Sequence, residues 1–265
     1  MLSFKIKIKF IIKKIIYFNF ITKFFGRILI QRFNKSVALV KDFPRLKASL
    51  WVDWNKELFD SWAKQKDKNL YIESINFYLD FAKERKKIIS GLPISGGIRN
   101  SRVGGSSNEV LLYFLVRLIN ARNVLETGVS AGSSSRCILE GLKKNENGRL
   151  FSSDLATVLN KNQVGILVNQ NLRKNWFLTN EGDKKNIPII YEKNKNFDLI
   201  YYDSEKSYES KKWFHNEIMK KKLPKIMIYD DVDRNSFFPE CVNNFGYIYR
   251  IFGNAGVIFF DKDYF

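Results

Sequence analysis

The chain has 265 residues, of which 45% are hydrophobic and 15% aromatic, and so rich an apolar content excludes wholesale disorder. The 45 Lys and Arg residues outnumber the 27 Asp and Glu residues, and +11 of the net charge of +18 falls in residues 1–50. A single histidine, His215, argues against a histidine-rich metal site or a histidine triad, and two distant cysteines argue against a disulfide framework and for a reducing compartment.

Residues 4–33 form an apolar arm that eight basic side chains interrupt. Its longest uncharged run has eight residues, whereas a membrane-spanning helix needs about 20, and no small-residue cleavage site follows, so we expect neither a transmembrane segment nor a secretory signal. The arm either lies on an anionic membrane surface or packs against protein, with nucleic acid as the least favoured partner. We therefore predict a cytoplasmic protein, with peripheral association at the inner face of a membrane as the open alternative.

The sequence divides into three predicted regions: the basic apolar arm at 1–50, a helical lid or linker region at 51–107, and a main domain at 108–265. In the second region, apolar side chains recur at helical spacing over 51–64 and 70–87, which predicts two helices. Residues 90–108 are rich in Gly and Ser, and a loop of this length is typical of a lid or a linker. The oligomeric state is left open.

From residue 108 onward, helical and strand-like segments alternate. The pattern predicts helices at 109–120, 133–144 and 208–222, strands at 123–126, 149–153, 176–179, 197–202 and 225–229, and a terminal hairpin of 247–252 with 256–260. Alternation of this kind indicates a parallel sheet with helices on both faces, in which ligands bind beyond the carboxyl ends of the strands.

Acidic residues stand at the end of nearly every predicted strand, namely Glu126, Asp154, Asp183, Asp203 and Asp230. Carboxylates that crowd one sheet edge repel one another unless a ligand or cation uses them. Their distribution therefore predicts a binding site at this edge.

The loop after the first predicted strand has the pattern Glu126-x-Gly128-x-x-x-Gly132. Its glycines let the backbone approach a ligand, and the helix behind it favours a negative group. A nicotinamide fingerprint would need G-x-G-x-x-G, so the pattern favours a ligand with a cationic amino acid end and no pyrophosphate. Further predicted contacts are Ser133 and Ser134 to a carboxylate, Asp154 to ribose hydroxyls and Asp183 to an adenine amino group.

Residues 124–154, 198–209 and 226–232 together resemble class I S-adenosylmethionine-dependent methyltransferases, most of all the family 24 type. The resemblance covers roughly residues 100–265. It implies an α/β fold: a Rossmann-like, doubly wound, mostly parallel seven-stranded sheet with an antiparallel C-terminal hairpin, here with an N-terminal helical extension. It also implies S-adenosylmethionine as cofactor, bound through Glu126, Gly128, Ser130, Gly132, Ser133, Ser134, Asp154 and Asp183.

Asp203-Ser-Glu-Lys206 is similar to the Asp-x-x-Lys element of metal-dependent catechol-type O-methyltransferases, and Asp230-Asp231 falls where they place two more oxygen ligands. This likeness implies that Asp203, Asp230 and Asp231 hold Mg²⁺, which would activate a substrate hydroxyl, and that Lys206 takes the proton. The alternatives are that Lys206 is a solvated surface lysine and that one of the paired acids only caps a helix.

The chain is therefore predicted to methylate a hydroxyl of a sugar or small polar metabolite, with a membrane-linked glycan as one candidate. An RNA or protein methyltransferase and a non-catalytic membrane-associated scaffold remain as alternatives, and a nicotinamide dehydrogenase is disfavoured by the loop spacing. Nucleic acid is not expected as a partner, because no interleaving of aromatic and basic residues marks a groove for it.

Overall fold

The computed structural model describes residues 38–91, 108–146, 148–155 and 163–265, with side chains from residue 45 onward. The predicted arm at 4–33 and most of the predicted lid at 90–108 lie outside these residues. The chain divides after Leu46 into two units, Met1–Leu46 and Lys47–Phe265, and the sheet belongs to the second. The three predicted regions stay a prediction. No helix of the described ranges is long and apolar enough to cross a membrane.

Among the described residues, three helices come before β2 to β8: α1 (Ala38–Asn55), α2 (Phe59–Lys66) and α3 (Lys68–Ser90). Asp67 separates the last two, because its extended backbone ends α2 and its carboxylate accepts the Leu70 amide at 2.9 Å to cap α3. The helix predicted at 51–64 is interrupted by a two-residue strand, β1 (Lys56–Glu57).

The remaining elements alternate much as predicted. In chain order they are α4 (Glu109–Leu118), β2 (Asn123–Thr127), α5 (Ser133–Lys144), β3 (Arg149–Ser153), β4 (Trp176–Thr179), α6 (Asp183–Lys193), β5 (Leu199–Tyr202), α7 (Tyr208–Met219), β6 (Ile226–Tyr229), α8 (Phe237–Phe245), β7 (Ile248–Phe252) and β8 (Ala255–Phe259). The sequence did not predict α6, α8 or β1.

The strands form one sheet in the order β1-β7-β8-β6-β5-β2-β3-β4. Strand β8 runs antiparallel to both of its neighbours, and every other pair is parallel. The predicted fold class is confirmed, and β1 adds an eighth strand by pairing with β7 at one edge. The chain reverses direction across the sheet between β2 and β5, and the carboxyl ends of strands at such a switch point flank a crevice.

The central strands are buried on both faces, which explains their nearly continuous apolar sequences. Alternate residues of β5 enter different clusters: Leu199 and Tyr201 pack with α4 and α5, whereas Ile200 and Tyr202 pack with α6 and α7. The sheet is thereby covered by helices on both sides, and its carboxyl edge is left for the loops that follow the strands.

Candidate active site

A cavity of about 870 Å³ opens at the carboxyl edge of the sheet. Five of the predicted site residues line it, namely Gly128, Ser130, Asp154, Asp183 and Asp203, together with residues that the sequence did not single out, such as Leu155, Ser204 and Trp213. Glu126, Gly132, Ser133 and Ser134 are not among the lining residues. The volume lies in the range of small-molecule and cofactor sites.

The glycine loop after β2 is fixed by Asp154, at the end of β3. Atom Oδ2 of this carboxylate accepts the amides of Val129 and Ser130, both at 2.7 Å. Gly128 and Ser130 both have positive φ, +80° and +51°, so the loop turns tightly beneath the cavity. Asp154 therefore shapes the glycine loop, and its predicted contact with ribose hydroxyls stays a prediction.

Glu126 lies behind the glycine loop and has no exposed surface. Hydroxyls of three serines donate to its carboxyl group: Ser134 at 2.5 Å, Ser135 at 2.6 Å and Ser152 at 2.8 Å. Burial raises the pKa of Glu126 to about 7, and the three hydrogen bonds limit the rise. Through these hydrogen bonds the Glu126 carboxyl group links β2 to β3 and to the first turn of α5. Its predicted direct contact with a cofactor stays a prediction.

The start of α5 is held by a second buried acid, Glu109 of α4. The Ser133 hydroxyl donates to Glu109 Oε1 at 3.1 Å, and Arg85 of α3 contacts both side chains and pairs with the carboxylate. Gly132 precedes the helix at φ +89°. The hydroxyls of Ser133 and Ser134 are thus directed to protein carboxylates, which leaves backbone amides at this helix end as the groups suited to an anionic ligand.

Asp183 begins α6 and lines the cavity. The Ser153 hydroxyl donates to its Oδ1 at 2.5 Å, and burial raises the pKa of the carboxyl group. A carboxyl at this place is suited to accept from a ligand amino group, and the predicted adenine contact stays a prediction.

Beside the cavity, three carboxylates converge on one ammonium group. Lys206 Nζ hydrogen-bonds Asp203 Oδ1, lies 3.2 Å from Asp230 Oδ2 and lies 3.6 Å from Asp231 Oδ2. We call Asp203, Lys206, Asp230 and Asp231 the carboxylate cluster. The structure therefore brings together all four residues predicted for metal binding and catalysis, and Lys206 is not a solvated surface lysine.

Charge and burial set the protonation of the cluster. Burial and the neighbouring Asp230 raise the pKa of Asp203 well above its usual range. Burial opposes the charge of Asp230 too, but the Lys206 ammonium and hydrogen bonds from Asp203 and Asn108 outweigh it and lower the pKa of Asp230. Burial also opposes the charge of Lys206, but Asp203 and Asp230 outweigh it and raise the lysine pKa. Lys206 is consequently protonated at neutral pH, and its ammonium group is fixed in place by the carboxylates around it.

Side chains that the sequence did not single out support the cluster, among them Asn254, which donates to Asp231 Oδ1 at 2.8 Å. Tyr201 donates its hydroxyl to Asp203 Oδ2 at 3.0 Å, and Asn108 donates to Asp230 Oδ1 at 2.7 Å. The fully buried Lys211 donates to the carbonyl oxygens of Asp230 and Asp231 at 2.9 and 2.8 Å. Only Tyr201, two residues before Asp203 on the same strand face, carried a signal in the sequence.

The predicted magnesium site does not fit this arrangement. The point to which the three carboxylates are directed is taken by Lys206 Nζ. In the ranges that the structure describes, no group of three or more His, Cys, Asp or Glu side chains is arranged to hold a metal ion. A divalent cation at 4 Å from an ammonium is repelled by about 8 kcal/mol at an effective dielectric constant of about 20, so the lysine would have to leave before an ion entered.

Comparison with known proteins agrees with the resemblance seen in the sequence. Residues 125–232 match the model of a methyltransferase domain family. No curated protein is a significant match. Similar solved structures include an O-methyltransferase from Bacillus cereus in complex with S-adenosylhomocysteine (16% identity, 68% of this chain and 90% of that chain, TM-score 0.47). Others are a methyltransferase from Geobacter sulfurreducens (17%, 69% and 95%, 0.48) and the O-methyltransferase TomG from Streptomyces achromogenes (18%, 62% and 85%, 0.41).

The three structural likenesses are too distant to add to the family match. That match spans β2 to the turn after β6, which includes the glycine loop, the cavity and the whole carboxylate cluster. Residues 125–232 thus resemble a methyltransferase domain, and this match agrees with the S-adenosylmethionine-dependent methyltransferase of the class I type that the sequence predicts.

Proposed function

We propose that the chain transfers the methyl group of S-adenosylmethionine to a hydroxyl oxygen of a small polar substrate, with sugars and glycan intermediates as the first classes to test. The observation that carries the proposal is the position of Asp203, which both lines the cavity and belongs to the carboxylate cluster. A cofactor in the cavity would therefore lie beside acidic groups able to orient a hydroxyl and to take its proton.

The cofactor, when bound, supplies an electrophilic methyl group on a sulfonium sulfur. The glycine loop and Asp154 would hold its place, and Asp183 lines the same cavity. The ionised carboxylate of Asp230 would accept the proton that the substrate hydroxyl loses on methylation. Lys206, which was predicted as the base, is instead the positive charge that stabilises the oxygen.

Magnesium assistance is the part of the sequence prediction that we do not carry into this proposal. The oxygen donors of the cluster have the right chemistry for Mg²⁺, but they are directed to Lys206. No step of the proposed reaction passes through a metal ion.

The proposal for the arm rests on sequence alone. Residues 4–33 carry eight basic side chains among apolar ones, which supports binding to an anionic membrane surface and would bring the domain near a membrane-linked glycan. Co-sedimentation with vesicles that contain phosphatidylserine tests it. Binding that weakens with salt and is lost on deletion of residues 1–33 is expected, and unchanged binding after the deletion would refute it.

Calorimetric titration with S-adenosylhomocysteine tests the cofactor, and transfer of a labelled methyl group to a panel of sugars and phenols tests the reaction. We expect binding by the wild type and by Asp203→Asn, and methyl transfer only by the wild type. The matched control is Glu205→Gln, which changes a more exposed acid two residues away at the same cavity. Binding without transfer to any hydroxyl, but with transfer to RNA or protein, would move the assignment to those substrates.

A further inference from the structure

Each of the three carboxylates in the cluster uses both of its oxygens in a defined way. One oxygen of each group contacts Lys206 Nζ: Asp203 Oδ1, Asp230 Oδ2 and Asp231 Oδ2. The other oxygen of each group accepts a hydrogen bond from an uncharged side chain: Tyr201 at 3.0 Å, Asn108 at 2.7 Å and Asn254 at 2.8 Å, respectively. The inner oxygens are thus turned to the Lys206 ammonium, and each outer oxygen accepts from a neutral donor, with Arg234 Nε also 3.7 Å from Asp231 Oδ1.

The backbone around the cluster is built to keep this geometry. Asp231 has φ +50°, a conformation that costs free energy for a residue with a side chain. Lys211 donates to the carbonyl oxygens of Asp230 and Asp231, and the amide of Asp203 donates to the Thr127 carbonyl at 3.0 Å. Lys206 is only three residues after Asp203, so its side chain reaches the cluster from the same loop. Its backbone carbonyl accepts a hydrogen bond from the Asn235 side chain at 2.6 Å.

We propose that Lys206 is the resident cation of this site, a tethered ammonium that takes the place of a divalent metal ion, so that methyl transfer by this chain needs no metal. An ammonium has three donors, and three carboxylate oxygens lie around Nζ at the distances of hydrogen bonds or ion pairs. The consequence for catalysis rests on the proposed function, whereas the exclusion of metal ions does not.

Binding of Mn²⁺ tests the inference without a substrate. Electron paramagnetic resonance of the full chain, titrated with Mn²⁺ in the absence of cofactor, counts bound ions. We expect no site in the wild type or in Lys206→Arg, and one site in Lys206→Met, at least about tenfold tighter than any binding by the wild type, because the inner oxygens then lack a cation. Adding Asp230→Asn to Lys206→Met should abolish the site.

The matched control is Lys83→Met, which removes a Lys–Asp pair of the same three-residue spacing from the exposed surface of α3. It should bind no more Mn²⁺ than the wild type. A thermal melt of each variant confirms folding before the titration. One tight Mn²⁺ site in the wild type, or none in a folded Lys206→Met, would overturn the inference. Failure of S-adenosylhomocysteine to bind would count against the proposed function alone.

A second measurement follows the reaction itself. Once a substrate is found, methyl transfer by the wild type should be unchanged, within about twofold, by EDTA treatment and by added Mg²⁺. Loss of activity in EDTA that Mg²⁺ restores would overturn the inference even if the Mn²⁺ titration had supported it.

Discussion

The Cβ atom of any side chain added at Gly128 would lie 2.5 Å from the carbonyl oxygen of Asp203. The glycine loop after β2 therefore touches the end of β5, where the carboxylate cluster begins. Gly128 also has φ +80°, a region that L side chains rarely adopt. The glycine loop and the end of β5 are held together by a backbone contact that only glycine permits.

Gly128→Val should therefore reduce affinity for S-adenosylhomocysteine by more than about tenfold, because the loop has to move away from Asp203. Calorimetry measures the affinity. Gly246→Ala is the control, since Gly246 has a similar φ of +63° but no atom within 4 Å of the added Cβ. That variant should lose about 1 kcal/mol of folding free energy and keep its affinity. Equal affinity in both variants would show that the contact is dispensable.

Asp154→Ala should weaken cofactor binding without unfolding the chain. The substitution leaves the amides of Val129 and Ser130 without their acceptor, so the loop loses its fixed shape. We expect at least about a tenfold loss of affinity by calorimetry and a smaller change in the melting temperature. Glu181→Ala, which removes an exposed acid from the same cavity, is the control. If Asp154→Ala bound S-adenosylhomocysteine with wild-type affinity, Asp154 would have no role in cofactor binding.

The sequence predicted the sheet well because buried parallel strands are short apolar runs with distinctive ends. It missed β1, because Lys56 and Glu57 are exposed charged residues that become a strand only by pairing with β7. It missed α8 as well, where Pro239 lies in a nine-residue helix whose apolar side chains pack on the sheet. Both elements are determined by tertiary contacts rather than by local pattern.

For the site, the sequence placed acids at strand ends but did not show where each side chain is directed. Glu126 and Asp154 both follow the expected pattern, yet one lies buried behind the loop and the other lines the cavity. Asn108, just before α4, is far from the cluster in the chain, and Lys211 of α7 reaches the backbone of Asp230 and Asp231 from about 20 residues away, so spacing gave no signal for these contacts. The position of Lys206 among three acids likewise depends on the fold, because β5 and β6 have to pair before Asp230 and Asp231 come near Lys206.

Two substitutions of Glu126 separate structural support from direct cofactor contact. Glu126→Ala leaves three buried hydroxyls without an acceptor and should cost about 3 kcal/mol or more of the free energy of unfolding. Glu126→Gln keeps the size of the side chain and one acceptor oxygen, so we expect S-adenosylhomocysteine affinity within about threefold of the wild type. A large loss of affinity in a stable Glu126→Gln would restore the predicted role as partner of a cationic group.

His215 predicts a specific dependence of stability on pH. Its ring lies in an uncharged pocket, with Nδ1 2.9 Å from the Tyr229 hydroxyl and Nε2 3.4 Å from the Tyr247 hydroxyl and 3.6 Å from Cys241 Sγ. Burial lowers the pKa of His215 from 6.5 to about 4, so the folded chain keeps the ring neutral where the unfolded chain protonates it. The unfolded state then binds more protons between pH 4 and 6.5, and stability falls as the pH falls through this window.

At pH 5 this difference amounts to about 2 kcal/mol relative to pH 8. Urea unfolding of the wild type and of His215→Leu at both pH values measures it, since the carboxyl groups that also titrate are common to the two proteins and cancel in the comparison. His215→Leu should be less stable at pH 8, because Tyr229 loses its partner, but should lose about 2 kcal/mol less than the wild type on acidification. Equal losses in the two proteins would mean that the folded chain tolerates a protonated ring, and the uncharged pocket described here would then be wrong.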